Sequence, residues 1–239
     1  MAKNAIKRII QKDMKAIQGQ NLNSLGIYIS FNEENMREAK AMIIGPKGGL
    51  YEGGYLYFHI TFPQNYPFSP PDVSYVPINR IRIHPNIYVT QGTKGGKVCL
   101  SMLGTWSGPK WTSIMDISTV LLCIQSLLDK HPLHHEPGQE NNMGKINTMY
   151  NDVIQYNTIQ SLILGNLYSS PKGFEEFKEP MIQYFQENKE SLLQRIDKWK
   201  TKAPKHCVIN FYKIDHILYY KETYSRVQLL IKDFSLTKN

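Results

Sequence analysis

One cysteine, Cys99, stands in the stretch HPNIYVTQGTKGGKVCLSMLGTW, which runs from His84 to Trp106. It follows a glycine- and lysine-rich segment and precedes a short apolar run. A thiol in such a place can be a nucleophile, a metal ligand or a small core residue. The first role needs an accessible thiolate. Gly92, Gly95 and Gly96 allow tight turns there and close approach by another chain. Asn86 offers an amide donor that can stabilise an oxyanion near the thiol. A cysteine hydrolase would also need a general-base histidine, and His84, His131, His134 and His135 are available. The local cysteine-centred signatures of papain-like proteases are absent, which disfavours that chemistry. A zinc site needs about four ligands at short paired spacings. No Cys-x-x-Cys pair occurs and HPLHH is a weak substitute, so no metal is expected.

The elements that must position these groups follow from periodicity. Ile6, Ile9, Ile10, Met14 and Ile17 are spaced as one face of a helix over residues 3–18, with Lys7, Arg8, Lys12 and Lys15 on the remaining surface. GIYISFN, AKAMIIGP and YLYFHITFP then read as three strands separated by turn-like segments, an antiparallel meander. QNYPFSPPDVSYVP carries four prolines, so it is extended and stiff, with DVSYV as a fourth strand. Residues 77–113 show little periodicity and read as a long irregular loop holding Cys99, the kind of loop that is usually functional or disordered. MDISTVLLCIQSLLD is a strong helix, capped by Asp116 or Ser118, with Cys123 as a small core residue inside it. A further helix is expected over about 140–165 and one or two over GFEEFKEPMIQYFQENKESLLQRIDKW, with Pro180 at a first turn or kink. CVINFYKI is β-like and a Tyr-rich helical tail follows. The order is helix, four strands, long loop, helices: an α+β layout with helices segregated from an antiparallel sheet.

Composition bounds the function. Hydrophobic residues are 41% and charged residues 20% of the chain, enough for a packed core. No window holds the eighteen or so apolar residues that span a bilayer, and the charged N-terminus does not read as a signal peptide. The net charge is +8, but Lys and Arg are spread along the chain without a basic run, so neither nucleic acid nor membrane is expected as a partner. The three cysteines, Cys99, Cys123 and Cys207, lie far apart and make a poor disulfide framework, which points to a reducing compartment, cytoplasm or nucleus.

Taken in order, YPFSPP (66–71), HPN (84–86), KVCLSML (97–103), Trp111 and EPG (136–138) resemble the ubiquitin-conjugating enzymes over about residues 3–160. The GTWSGPKW insert and the long extension resemble a subgroup in which LGTWxGxxW follows the cysteine. The resemblance implies the UBC fold, with a catalytic core over 1–165 and a mostly helical extension over 166–239 packed on it. It implies that Cys99 carries ubiquitin, or a ubiquitin-like protein, as a thioester received from the activating enzyme. A substrate lysine or a ubiquitin ligase then takes it. No cofactor is implied, because ATP is consumed by the activating enzyme. Asn86 matches the asparagine that supports the active-site loop and stabilises the oxyanion. Phe68, Thr112 and Ser113 match the two loops where ligases dock. Lys7, Arg8 and Lys12 match the basic face of the first helix, which meets the activating enzyme.

Three departures stand out. Asn86 and Cys99 are further apart than in most members, and TQGTKGG either displaces Asn86 or forms a flap. Thr112-Ser113-Ile114 replaces the common Ser-Pro-Ala, which leaves the ligase class open. His134-His135-Glu136 replaces the usual acidic pair beside the lysine entry. A carboxylate or neutral imidazole there can orient an amine and take its proton. Glu136 is the first candidate, His135 the second and His134 the third. The alternative reading of the whole chain is a non-catalytic ubiquitin- or partner-binding adaptor on the same fold, against which Cys99 itself argues.

Overall fold

The computed structural model describes residues 2–236. Met1 and residues 237–239, the outer ends of the two expected domains, lie outside them. The first helix, α1, runs through three consecutive segments, Ala2–Arg8, Ile9–Asp13 and Met14–Gly19. The middle segment is a wider π-type turn. One extra residue per turn rotates the side chains that follow, so the buried stripe departs from a plain 3.6-residue period. Ile9 and Asp13 are fully buried, whereas Ile10 is exposed.

Strands β1 (Ile27–Phe31), β2 (Glu38–Ile44), β3 (Tyr55–Thr61) and β4 (Asp72–Val76) form the expected antiparallel meander. The sheet does not stop at four strands. The segment read from sequence as an irregular loop contributes β5 (Ile87–Gln91) and β6 (Gly96–Val98), which gives the order β1-β2-β3-β4-β6-β5. These strands are short, and a three-residue strand beginning on glycine has almost no β-pattern to detect. Gly96 is required by the pairing, because a Cβ there would collide with the Tyr88 carbonyl. TQGTKGG is therefore the turn of a hairpin joined to the sheet.

Helix α2 (Ile117–Leu127) is capped by Asp116, whose carboxylate accepts from the Thr119 N–H at 3.1 Å. Its Ile117, Val120, Leu121 and Ile124 share one buried core with Leu56, Phe58 and Ile60 of β3. The other face of β3 is covered as well. Tyr55, Tyr57 and His59 meet Phe174, Phe177, Met181 and Tyr184, which begin the C-terminal part of the chain. The Tyr55 hydroxyl donates to the Met181 carbonyl at 3.0 Å. Burial on both faces explains why β3 reads as a continuous apolar run rather than an alternation.

Helix α3 continues through Lys145–Asn157, Thr158–Gly165 and Asn166–Tyr168. Its start is later than expected because residues 138–144 form turns, with Gly138 in the left-handed region at φ 81°. Helix α4 (Lys178–Arg195) carries Pro180 in its first turn. Trp199, fully buried, stacks with Tyr156 of α3 and meets edge-on Tyr220, the first residue of α5 (Tyr220–Leu236). Between them lies a hairpin, β7 (Lys205–Ile209) and β8 (Ile214–Leu218), a second two-stranded sheet. Only the first of these strands is legible in the sequence, since the segment after CVINFYKI, which holds all of β8 but Ile214, reads as a helical tail. Among the described residues, no helix is long and apolar enough to cross a membrane.

Candidate active site

Cys99 follows directly on β6, and Asn86 directly precedes β5. The hairpin between them returns the chain, so thirteen residues of separation end in contact. The Cys99 N–H donates to the Asn86 carbonyl at 2.8 Å, and the Asn86 Nδ2 donates back to the Cys99 carbonyl at 2.9 Å. TQGTKGG therefore does not displace Asn86. Asn86 is itself positioned by His84, whose Nδ1 accepts from the Asn86 N–H at 3.0 Å. On the far side of the cysteine, the Thr105 hydroxyl accepts from the Leu100 N–H and donates to the Val98 carbonyl, at 2.9 and 2.7 Å. The LGTW segment thus closes a small loop around Cys99, with Gly104 at φ 70° making the turn.

Cys99 as a residue is only 2% exposed. Burial raises its pKa above the usual range, while the positive charges of Lys97 and Arg82 and a hydrogen bond from Tyr88 oppose the rise. Arg82 and Tyr88 were not among the sequence candidates. Nothing in RIRIHPN distinguishes Arg82 from Arg80 until the fold places its guanidinium 3.5 Å from the centre of the Tyr88 ring. Its Nη2 donates to the Pro85 carbonyl, and its Nε is buried without a partner among the described residues.

The lysine-entry candidates are brought into different company. Glu136 is half-buried and accepts from the Tyr212 hydroxyl at 2.5 Å. His135 commits its Nε2 to Asp129 at 2.9 Å and lays its ring against His84, 4.8 Å between centres. His134 pairs its Nε2 with the Asn142 carbonyl at 3.1 Å. Each of the three thus has one of its two side-chain polar atoms held by the protein. Among the described residues, no three His, Cys, Asp or Glu side chains are grouped as a metal site.

His84 makes the site pH-sensitive. It is fully buried, and burial, with His135 and Arg82 adding, holds its pKa well below 6.5. The folded protein keeps it neutral, whereas the unfolded chain takes up a proton as pH falls through about 6.5. Its contribution to stability is therefore complete above that pH and is lost below it, by up to about 1.4 kcal/mol per pH unit. His59 and His216 are depressed by burial too and act in the same direction. Urea unfolding at pH 7.5 and 5.5 is expected to show a loss that shrinks in His84→Gln. An identical loss in the variant would remove His84 from this role.

The proposed docking residues form one edge. Phe68 is 81% exposed and Ile114 76%, with Thr112 and Ser113 exposed between them and Trp111. The Trp111 Nε1 donates to the Pro67 carbonyl at 2.6 Å, which ties the two loops together. The first helix is tied to the same edge. Lys12 Nζ donates to the Ile114 carbonyl at 2.6 Å, and the Arg8 Nη2 donates to the Met115 carbonyl at 2.7 Å. Arg8 also pairs with buried Asp13 at 3.1 Å, so it is largely internal, whereas Lys7 and Lys12 remain exposed. Asp13 escaped the sequence reading. It accepts from the Tyr66 hydroxyl at 2.6 Å and the Ile117 N–H at 2.9 Å, and so joins α1, the YPF turn and α2.

Comparison with known proteins agrees with this geometry. The ubiquitin-conjugating enzyme family model matches residues 9–159. The chain is 36% identical over 166 residues to ubiquitin-conjugating enzyme E2 Z of Xenopus tropicalis, covering 68% of this chain and 51% of that protein. It is 40% identical over 139 residues to the Homo sapiens E2 Z, covering 56% and 38%. A probable ubiquitin-conjugating enzyme, protein 17 of Caenorhabditis elegans, is 33% identical over 205 residues, covering 81% and 27%. The chain thus spans about half or less of the length of these relatives. With the family matched across most of the chain and Cys99 clasped by Asn86 at the end of β6, the chain belongs to the ubiquitin-conjugating enzyme family.

Proposed function

We propose that this chain accepts ubiquitin, or a ubiquitin-like protein, from the activating enzyme as a thioester on Cys99 and passes it to a substrate lysine or to a ligase. The observation that carries this reading is the paired hydrogen bonding of Asn86 and Cys99, which fixes the Cys99 main chain in a loop that Lys97 and Arg82 make positive. In loading, the Cys99 thiolate attacks the thioester carbonyl of the activating enzyme's adduct, and the activating enzyme's thiolate leaves. In discharge, a lysine ammonium first gives a proton to a nearby base. The amine then attacks the Cys99 thioester, its second proton is lost, the C–S bond breaks and Cys99 leaves as thiolate. Glu136 is the base in this reading. No resident metal or organic cofactor takes part, and ATP is consumed upstream. The exposed Phe68–Thr112–Ser113 edge is the ligase surface and the Lys7–Lys12 face the activating-enzyme surface, with Arg8 acting through α1. Three unpaired thiols suit a reducing compartment, cytoplasm or nucleus.

Asn86 has a second N–H beyond the one given to Cys99. In this reading it serves the oxyanion that develops as lysine attacks. Asn86→Ala is expected to slow discharge to free lysine about a hundredfold, the size of one lost oxyanion donor, and to slow loading less. Single-turnover rates of both steps check this. Equal losses in the two steps would reduce Asn86 to loop support. The thioester itself is tested by incubation with activating enzyme, ATP and ubiquitin, read as a thiol-sensitive adduct.

A further inference from the structure

The turn between β7 and β8 carries Tyr212 to Glu136, across 76 residues of sequence. The Tyr212 hydroxyl donates to Glu136 Oε2 at 2.5 Å and leaves Oε1 out of that bond. Burial, with Tyr150 and Glu136 adding, pushes the phenol up, so it stays a donor at neutral pH. Its ring packs on Tyr150 and Phe211, 5.1 and 4.5 Å between centres. The Arg82 guanidinium lies 5.0 Å from the Tyr212 ring centre and 3.5 Å from that of Tyr88. The Tyr150 hydroxyl donates to the Arg82 carbonyl at 2.9 Å, and Arg82 and Tyr88 both act to lower the Cys99 pKa. Contacts therefore run from Tyr88 through Arg82 and Tyr212 to Glu136, and the Arg82 charge also acts on the thiol.

A base that must meet an incoming amine works only if it is held in one orientation, and a third group commonly supplies that hold. We propose that Tyr212 is a positioning residue for lysine acceptance: its hydroxyl fixes the Glu136 carboxylate so that Oε1 faces the acceptor ammonium, while its ring helps to seat Arg82 over Tyr88 beside Cys99. The C-terminal extension thereby completes the acceptor side of the site. No bond to Tyr212 is made or broken. The inference rests on the reading of Glu136 given above.

The test uses the full chain charged with ubiquitin on Cys99, then chased with free lysine. Discharge is followed from the pre-formed thioester in wild type, Tyr212→Phe, Glu136→Gln and the double variant. Phenylalanine keeps the ring packing and removes only the hydroxyl. Tyr212→Phe is expected to slow discharge about tenfold, as for loss of a hydrogen bond to a charged acceptor. It is expected to cost nothing further in the Glu136→Gln background, because the hydroxyl acts through that carboxylate. Discharge of Tyr212→Phe at the wild-type rate, or losses that multiply in the double variant as for a mere strut, would overturn the proposal. A wild-type chain that forms no adduct rejects the thioester reading and this inference together. A charged wild type with an indifferent Tyr212→Phe rejects the role of Tyr212 alone.

Discussion

Replacing Cys99 by alanine is expected to abolish the thiol-sensitive adduct, while Cys123→Ala and Cys207→Ala still load. The environments of the three thiols separate them. Cys207 on β7 belongs to the core cluster and Cys123 packs against it from within α2, whereas Cys99, also buried, lies outside that cluster. Cys99 alone stands at a loop whose main chain is pinned from both sides, by Asn86 and by Thr105. Lys97 and Arg82 oppose the rise of its pKa, whereas at Cys207 the charge of Asp152 works against Lys205 and Lys202. Cys99→Ser is expected to give a slower adduct that resists thiols, because an oxyester replaces the thioester and a hydroxyl is the weaker nucleophile at neutral pH. Intact-mass and non-reducing gel measurements on the four proteins check this. Normal loading of Cys99→Ala would remove the centre of the proposed mechanism.

Deleting residues 166–239 is expected to leave a core that aggregates or melts at least about 10 °C lower. The removed segment is a second layer of the hydrophobic core. Phe174, Phe177, Met181, Phe185, Leu192 and Ile196 are all at most 6% exposed. Without them, the Tyr55–Tyr57–His59 face of β3 opens to water and the Tyr55 hydroxyl loses the Met181 carbonyl. Asn166, whose Nδ2 donates to the Tyr55 carbonyl at 2.9 Å, goes too. Trp199→Ala isolates part of the effect, since emptying a buried tryptophan site typically costs about 3–5 kcal/mol. In a chain of this size that corresponds to a melting shift of roughly 10 °C. Differential scanning calorimetry measures both. A truncated protein that melts at the full-length temperature and still loads would make the extension an independent docking arm.

The parts of this fold that were legible in the sequence are those whose partners are local or whose pattern repeats. The β1–β4 meander and α2 announce themselves through turn residues and periodicity. The short β5–β6 hairpin does not, because its glycines are chosen by neighbouring backbone and three residues carry no period. On α1 the expected stripe holds at Ile9, Met14 and Ile17, but Ile10 is exposed and the wide turn buries Asp13, which no apolar pattern marks. At the site, Cys99 and Asn86 could be named from ordered motifs. Arg82, Tyr88 and Tyr212 could not, because their roles exist only once the hairpins bring distant segments together. Arg8 shows the reverse. Its position on a basic helix suggested a free surface, and buried Asp13 draws it inward.

The most direct measurement incubates the full-length chain with activating enzyme, ATP and ubiquitin and resolves the products on a non-reducing gel, with peptide mapping of the adduct. The expected result is a band one ubiquitin heavier that requires ATP, disappears with reducing agent and maps to Cys99. Absence of that band, or an adduct mapped to Cys123 or Cys207, would contradict the assignment of Cys99 as the residue that carries the modifier.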